Sequence, residues 1–277
     1  MEFRYIDAHC HLQFEQYDQD REALIEKMRE EGVGAIVVGT DLESSRSAIA
    51  LAEKHEHLWA TVGIHPRRES SVASEIGHDM SDIRALAVHP EVVAIGECGL
   101  DFFREEGEAE RQAQRELFKQ QVMLAAELDK PLIIHARPSS AKATEGKPTY
   151  DAYHDVIEIL KEAKIEHPNL RGVAHFFAGG LTEAEAFIAL DFSLSFTAVI
   201  TFARDYDAVI RATPLGHLLA ETDAPYVAPA SHRGQRNDPL AVTEVVSQIA
   251  SIRGDDPEAV RRALLGNTRK SFGLQAA

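Results

Sequence analysis

The segment Asp7-Ala-His9-Cys-His11 sets two imidazoles two residues apart, a spacing that turns both side chains to one side of an extended strand. Two neutral ring nitrogens so placed can reach one divalent cation, while Cys10 between them points away. Alone, the pair would fit two ordinary histidines in a short loop equally well. Four more residues shift the balance. Glu97 follows Ala94-Ile-Gly, His135 follows Pro-Leu-Ile-Ile, His175 follows Gly-Val-Ala, and Asp223 closes Leu-Leu-Ala-Glu221-Thr. A carboxylate buried behind an apolar strand is costly without a cationic partner. One histidine in such a place is ordinarily a core residue bonded to a carbonyl, but repetition at matching positions points to a metal site. Only Cys10 and Cys98 are present, without CxxC spacing, so structural zinc held by thiolates is not expected.

These side chains need elements to carry them to one place. Apolar runs predict eight strands, at Tyr5 to His11, Ala35 to Thr40, Leu58 to His65, Val92 to Gly96, Pro131 to His135, Gly172 to His175, Phe192 to Phe196 and His217 to Thr222. Most are continuous and apolar, as strands covered on both faces are. Between them lie helical patterns such as Asp20 to Glu31 and Glu108 to Leu128, and the chain closes with Pro239 to Arg253 and Pro257 to Leu265. This alternation predicts a parallel α/β fold, and an open doubly wound sheet would share it. The polar residues decide: His9, His11, His65, Glu97, His135, His175 and Asp223 all sit at C-terminal strand ends. A (β/α)8 barrel brings those ends to one mouth. We therefore expect a single TIM-barrel domain over residues 1–277, with no Gly-, Pro- or Ser-rich linker dividing it.

Composition agrees with this fold class: 44% hydrophobic and 27% charged residues describe a globular chain with ample core material. No apolar run is long enough for a membrane span, and Met1 to Asp7 lacks the basic flank and apolar stretch of a signal peptide. A cytoplasmic location, with reduced thiols and no obligate protein partner, is the expectation. The net charge of -16 argues against a general nucleic-acid coating protein, although a polyanion can still bind locally through cations.

In order along the chain stand Asp-Ala-His-Cys-His-Leu at 7 to 12, Gly-Ile-His-Pro at 63 to 66 and Gly-Glu-Cys-Gly-Leu-Asp at 96 to 101. Ile-His-Ala-Arg at 134 to 137, His-Phe-Phe-Ala-Gly at 175 to 179, Glu-Thr-Asp-Ala-Pro-Tyr at 221 to 226 and His-Arg-Gly at 232 to 234 follow. Together they resemble the TatD family of metal-dependent deoxyribonucleases, within the amidohydrolase superfamily, over nearly the whole chain. The resemblance implies two divalent ions, Zn, Mn or Mg, one on His9, His11, Glu97 and Asp223, the other on Glu97, His135 and His175. Glu97 would bridge them. It further implies hydrolysis of DNA phosphodiesters, at single-stranded ends, by a water activated between the ions. Asp223 is the candidate general base, with Glu97 beside it as a catalytic residue. Glu221 would support the ligands or form a salt bridge at the rim.

His65, Asp101 and Arg137 are the candidate substrate-binding residues. His65 could donate to a phosphate oxygen, Asp101 could orient a ligand or cap the following helix, and Arg137, with Arg104 and Arg233, could grip phosphates. His232 is a weaker candidate. The chain departs from the family at Pro138, where an acidic residue is usual, and in the polar stretch from Ser139 to Tyr150, readable as a lid or as a neutral insertion. His175-Phe-Phe replaces the more usual His-Cys-Phe, leaving the ligand in place. Two other functions compete. An amide, ester or lactone hydrolase would use the same metals on a carbonyl, and a metal-binding barrel without activity would serve as an interaction module.

Overall fold

The computed structural model describes residues 3–67, 73–103, 107–139 and 151–275. Eight strands alternate with helices: β1 Tyr5–Cys10, α1 Arg21–Glu31, β2 Val33–Val38, α2 Leu42–Ala52, β3 Leu58–Val62, α3 Ala73–Ala87, β4 Val92–Asp101 and α4 Glu108–Glu127. There follow β5 Leu132–Arg137, α5 Ala152–Glu166, β6 Gly172–Ala174, α6 Leu181–Ala189, β7 Phe192–Phe196, α7 Asp207–Ala212, β8 Leu218–Ala220, α8 Val242–Arg253 and α9 Pro257–Phe272. The strands run parallel in chain order in one sheet. The sheet curls until β1 meets the segment after β8, where Cys10 bridges Ala224 in parallel. The eight-stranded barrel expected from the alternation is the observed fold.

Two apolar layers hold it. Phe3, Ile6, Ala8, Ile36, Val38, Ala94, Ile133, Val173 and Leu219 form one cluster inside the barrel. A larger cluster, which includes Cys10, Val37, Ile95, Cys98, Leu132 and Ile134, lies between the strands and the helices. Side chains alternate across a strand, so residues two beyond the inner cluster face inward as well. Hence Ile133 is followed inside by His135, Val173 by His175, and Leu219 by Glu221. The polar layer rests directly on the apolar plug.

Strands β1 and β4 do not keep this alternation. Their register shifts between Asp7 and Cys10 and between Ile95 and Cys98. Each shift is a bulge that changes which parity faces inward. Ile6 and Ala8 belong to the inner cluster, yet Cys10 faces the helices, as does Cys98 after the inner Ala94. His9 and Glu97 are thereby turned toward the centre. The bulge also lets β4 continue to Asp101, paired with β5 as far as Arg137, whereas the apolar run alone predicted an end at Gly96.

Other boundaries moved less. β1 ends at Cys10 rather than His11, β2 starts earlier, at Val33, and β8 is confined to Leu218–Ala220. β3 stops at Val62, and just beyond it Gly63 lies against the β4 backbone: a Cβ there would come within 2.6 Å of the Gly96 carbonyl carbon. Residues Pro239–Ala241 form a short 3-10 turn before α8, and α9 runs past Gly266 to Phe272, stopped by Gly273 in the left-handed conformation.

Candidate metal centre

At the C-terminal mouth, six of the side chains singled out above converge. His9 Nε2 and His11 Nε2 lie 3.2 Å apart. Glu97 Oε2 is 3.5 Å from the first and 3.8 Å from the second, and Asp223 Oδ1 is 3.7 and 3.5 Å from them. Around an ion bound at about 2.0–2.1 Å, tetrahedral donors stand roughly 3.3 Å apart, and His9, His11 and Asp223 offer three atoms at that kind of spacing, with Glu97 Oε2 beside the two imidazoles. The other oxygen of the same carboxylate, Glu97 Oε1, lies 3.0 Å from His135 Nδ1 and 3.2 Å from His175 Nε2. Glu97 thus turns one oxygen to each of two sets of nitrogens. Nitrogen and oxygen donors without thiolate fit a borderline or hard divalent ion.

Three of the four imidazoles are fixed by what their second nitrogen meets. His11 Nδ1 donates to the Val38 carbonyl at 2.9 Å, and His135 Nε2 sits 3.2 Å from Asp101 Oδ2. His175 Nδ1 faces Glu221 Oε1 at 3.1 Å. Such partners set the tautomer and raise the basicity of the nitrogen left for a metal. His9 is held differently, its ring stacked on His175 with centroids 3.8 Å apart. Its Nδ1 is buried without a hydrogen-bond partner among the described residues.

Glu221 is fully buried and accepts from the Phe176 N–H at 2.6 Å and from the Ser195 hydroxyl, so it is not a rim residue. Asp101 caps no helix: its carboxylate serves His135 and the Phe103 N–H, and Gly107 occupies the cap position of α4. Asp7, not singled out from the sequence, accepts from the backbone of His9 and from both the N–H and hydroxyl of Thr222. Its signal was an acidic residue two before a histidine on one strand. Ser195, polar inside the apolar Phe192–Phe196 strand, was the other missed sign.

The electrostatics set an ionised bridge among imidazoles that divide: although burial opposes it, the neighbouring carboxylates raise His11, His135 and, well above the usual imidazole value, His175, whereas His9 moves the other way. Burial, together with the neighbouring His175, pushes the His9 imidazole down to about 3. Burial opposes ionisation of Glu97, yet the imidazoles of His175, His65 and His135 hold it well below the usual carboxylate range. Asp223 has a left-handed backbone, φ 55°, as does Phe176, φ 44°, beside His175. Non-glycine residues so strained cluster where a site demands a fixed direction.

His65 stands at the edge, Nε2 3.5 Å from Glu97 Oε1. Its Nδ1 accepts the Arg67 N–H at 3.1 Å, so the proton of the neutral ring is on Nε2. Burial pushes this imidazole down to about 4. His65 therefore presents a hydrogen to the centre, toward Glu97 Oε1. A cavity of about 1000 Å³ opens above, lined by His65, Arg67, Asp101, Arg137, Tyr226 and Phe14 among others. Arg233 does not line it and stacks instead on Phe202, 4.1 Å from the ring centroid. His232 pairs with Ser231 at the surface. Arg104 and residues 140–150 lie outside the described residues. No helix of the described residues is long and apolar enough to cross a membrane.

With this geometry in hand, the chain was compared with known proteins. The family model described as TatD related DNase matches residues 6–273. An uncharacterized metal-dependent hydrolase of Bacillus subtilis, YabD, is 35% identical, over 97% of this chain and 99% of its own. The 3'-5' ssDNA/RNA exonuclease TatD of Erwinia amylovora is 34% identical, over 97% of this chain and 100% of its own. The crystal structure of YjjV, a TatD homologue from Escherichia coli, superposes with a TM-score of 0.86 at 30% identity, covering 99% of this chain and 100% of that one.

Proposed function

Because the chain belongs to the TatD-related DNase family, a family of metal-dependent hydrolases, we propose that it is a two-metal phosphodiesterase acting on the single-stranded ends of DNA. The observation that carries this reading is the double allegiance of Glu97, whose two oxygens face separate sets of imidazoles. His9, His11, Glu97 and Asp223 would hold one ion and Glu97, His135 and His175 the second. Bound divalent ions supply Lewis acidity, which lowers the pKa of a water and offsets charge developing on the phosphoryl oxygens.

The side chains do the rest. Asp223, whose Oδ1 faces His9 and His11, takes the proton of the attacking water as general base. His65 donates Nε2–H to a phosphoryl oxygen. Arg137, stacked 4.0 Å over the Phe103 ring and lining the cavity, orients a phosphate, and Asp101 acts through His135. The exonuclease name of the Erwinia relative supports the choice of substrate. Two buried, unpaired cysteines suit the cytoplasm as the place of action.

The decisive experiment follows nucleotide release from a labelled single-stranded oligonucleotide, and from its duplex, with added Mg, Mn or Zn. Release from the single strand is expected. Absence of cleavage with every metal, alongside turnover of an ester or lactone panel, would overturn the reading.

A further inference from the structure

The cavity over the centre has two chemically different sides. On the side of β3 and β5 stand Arg67 and Arg137, both exposed, both held by Phe103, and neither in an ion pair within 4 Å among the described residues, although Arg137 helps hold the Asp101 carboxyl ionised. On the side where the barrel closes, after β1 and β8, stand the rings of Phe14 and Tyr226, and both meet His11. Phe14 lies parallel to it at 4.6 Å between centroids, and Tyr226 edge-on at 6.2 Å.

Tyr226 is 48% exposed, and of the large apolar side chains so exposed among the described residues it alone lines the cavity. That exposure is built rather than slack. The Tyr226 N–H donates to the Asp223 carbonyl at 2.9 Å, and the Tyr226 carbonyl accepts from Asn237 Nδ2 at 2.8 Å. Asn237, itself buried, also donates to the carbonyls of Thr222 and Val227. The ring is thus pinned three residues from the proposed general base. Its hydroxyl has no hydrogen-bond partner among the described residues.

A nucleotide carries one anionic ester and one flat apolar ring, and the mouth offers guanidinium groups to the first and fixed aromatic faces to the second. We propose that Tyr226, with Phe14 on the same side of the cavity, is a stacking subsite for an unpaired nucleobase next to the phosphate at the centre. This rests on the nuclease reading and narrows it. A base inside a duplex is covered on both faces, so only a base freed from its neighbours, at a strand end or in a single strand, can lie on Tyr226. Because every base has a π face, the subsite selects strandedness rather than sequence.

The test compares binding of deoxyadenosine 5'- and 3'-monophosphate with that of 2-deoxyribose 5-phosphate, which has the phosphate without the base. Calorimetry on the metal-loaded protein should show at least one nucleotide binding about 10-fold tighter than the sugar phosphate, within the range of one stacked base. Tyr226→Ala should abolish that difference while sugar phosphate affinity stays within about 2-fold, and Tyr226→Phe should keep it. Equal affinity for all three ligands in the unmodified protein, or equal losses in Tyr226→Ala, would overturn the subsite. Base-dependent binding without cleavage of any oligonucleotide would retain the subsite and sink the nuclease reading instead.

Discussion

Glu221 Oε1 sits 3.1 Å from His175 Nδ1 and accepts the N–H of the very next residue, Phe176, so that His175 can offer only Nε2 to the centre. The pair reaches across the barrel from β8 to β6, with no solvent access to the carboxylate. It is the same device as Asp101 on His135.

Loss of this support should weaken metal binding without dissolving the barrel. Glu221→Gln keeps an acceptor for both N–H groups but loses the charge, and about a 10-fold drop in affinity for one ion is expected. Glu221→Ala should cost about 100-fold. Titration of chelated protein with Zn or Mn by calorimetry measures both. Unchanged affinity in the alanine variant would remove the orienting role.

Glu97 is expected to be indispensable to both ions at once. Elemental analysis of Glu97→Ala should find less than one equivalent of metal per chain, because each set of nitrogens loses its shared carboxylate oxygen. Glu97→Gln retains one oxygen donor and should retain partial occupancy. Two full equivalents in the alanine variant would contradict bridging.

For His65, the Arg67 N–H dictates which tautomer exists, and the consequence is separable from metal binding. Nitrogen-15 spectra should show the proton on Nε2. His65→Ala should lower kcat/KM on a phosphodiester by roughly 10- to 100-fold, the range for one hydrogen bond to a charged group. Metal content should not change, and His65→Gln, which keeps an N–H, should recover part of the loss. A fall in metal content in either variant would make His65 a ligand instead.

Chelation should remove activity and lower thermal stability together. An ion present at 1,000 times its dissociation constant stabilises the folded state by about 4 kcal/mol, and each kcal/mol moves Tm by about 2–4 °C in a chain of this size. A scan with and without EDTA therefore should differ by roughly 10 °C, reversed by adding metal back. An unshifted midpoint would show that the folded chain binds no ion at that concentration.

Much of this centre was legible in the chain because His135 and His175 follow apolar strands whose alternation continues to the mouth, whereas Asp223 lies beyond the end of β8 on a left-handed backbone. His9 and Glu97 were legible only as residue types. The bulges that turn them inward arise from pairing with β2 and β5, and a run of apolar letters carries no trace of register. For the same reason β4 was read as ending at Gly96 when it continues to Asp101. Glu221 was ambiguous because a carboxylate two residues from a strand end has the same sequence signature whether it lies inside the barrel or on its rim. Burial beneath His175 is a property of eight strands together. Arg233 shows the converse, since a cation in the right loop stacks on Phe202 and never reaches the cavity.

Where the barrel closes, Asp223 N–H donates to the His9 carbonyl at 2.9 Å and His11 N–H to the Ala224 carbonyl at 2.7 Å, while Asp7 grips Thr222. The last joint of the ring and the proposed metal centre are therefore one piece of structure, made from segments far apart in the sequence. Residues 7–11 must wait for residues 222–224 before that joint can form, so the proposed donor set is completed by Asp223 in the same event that shuts the ring.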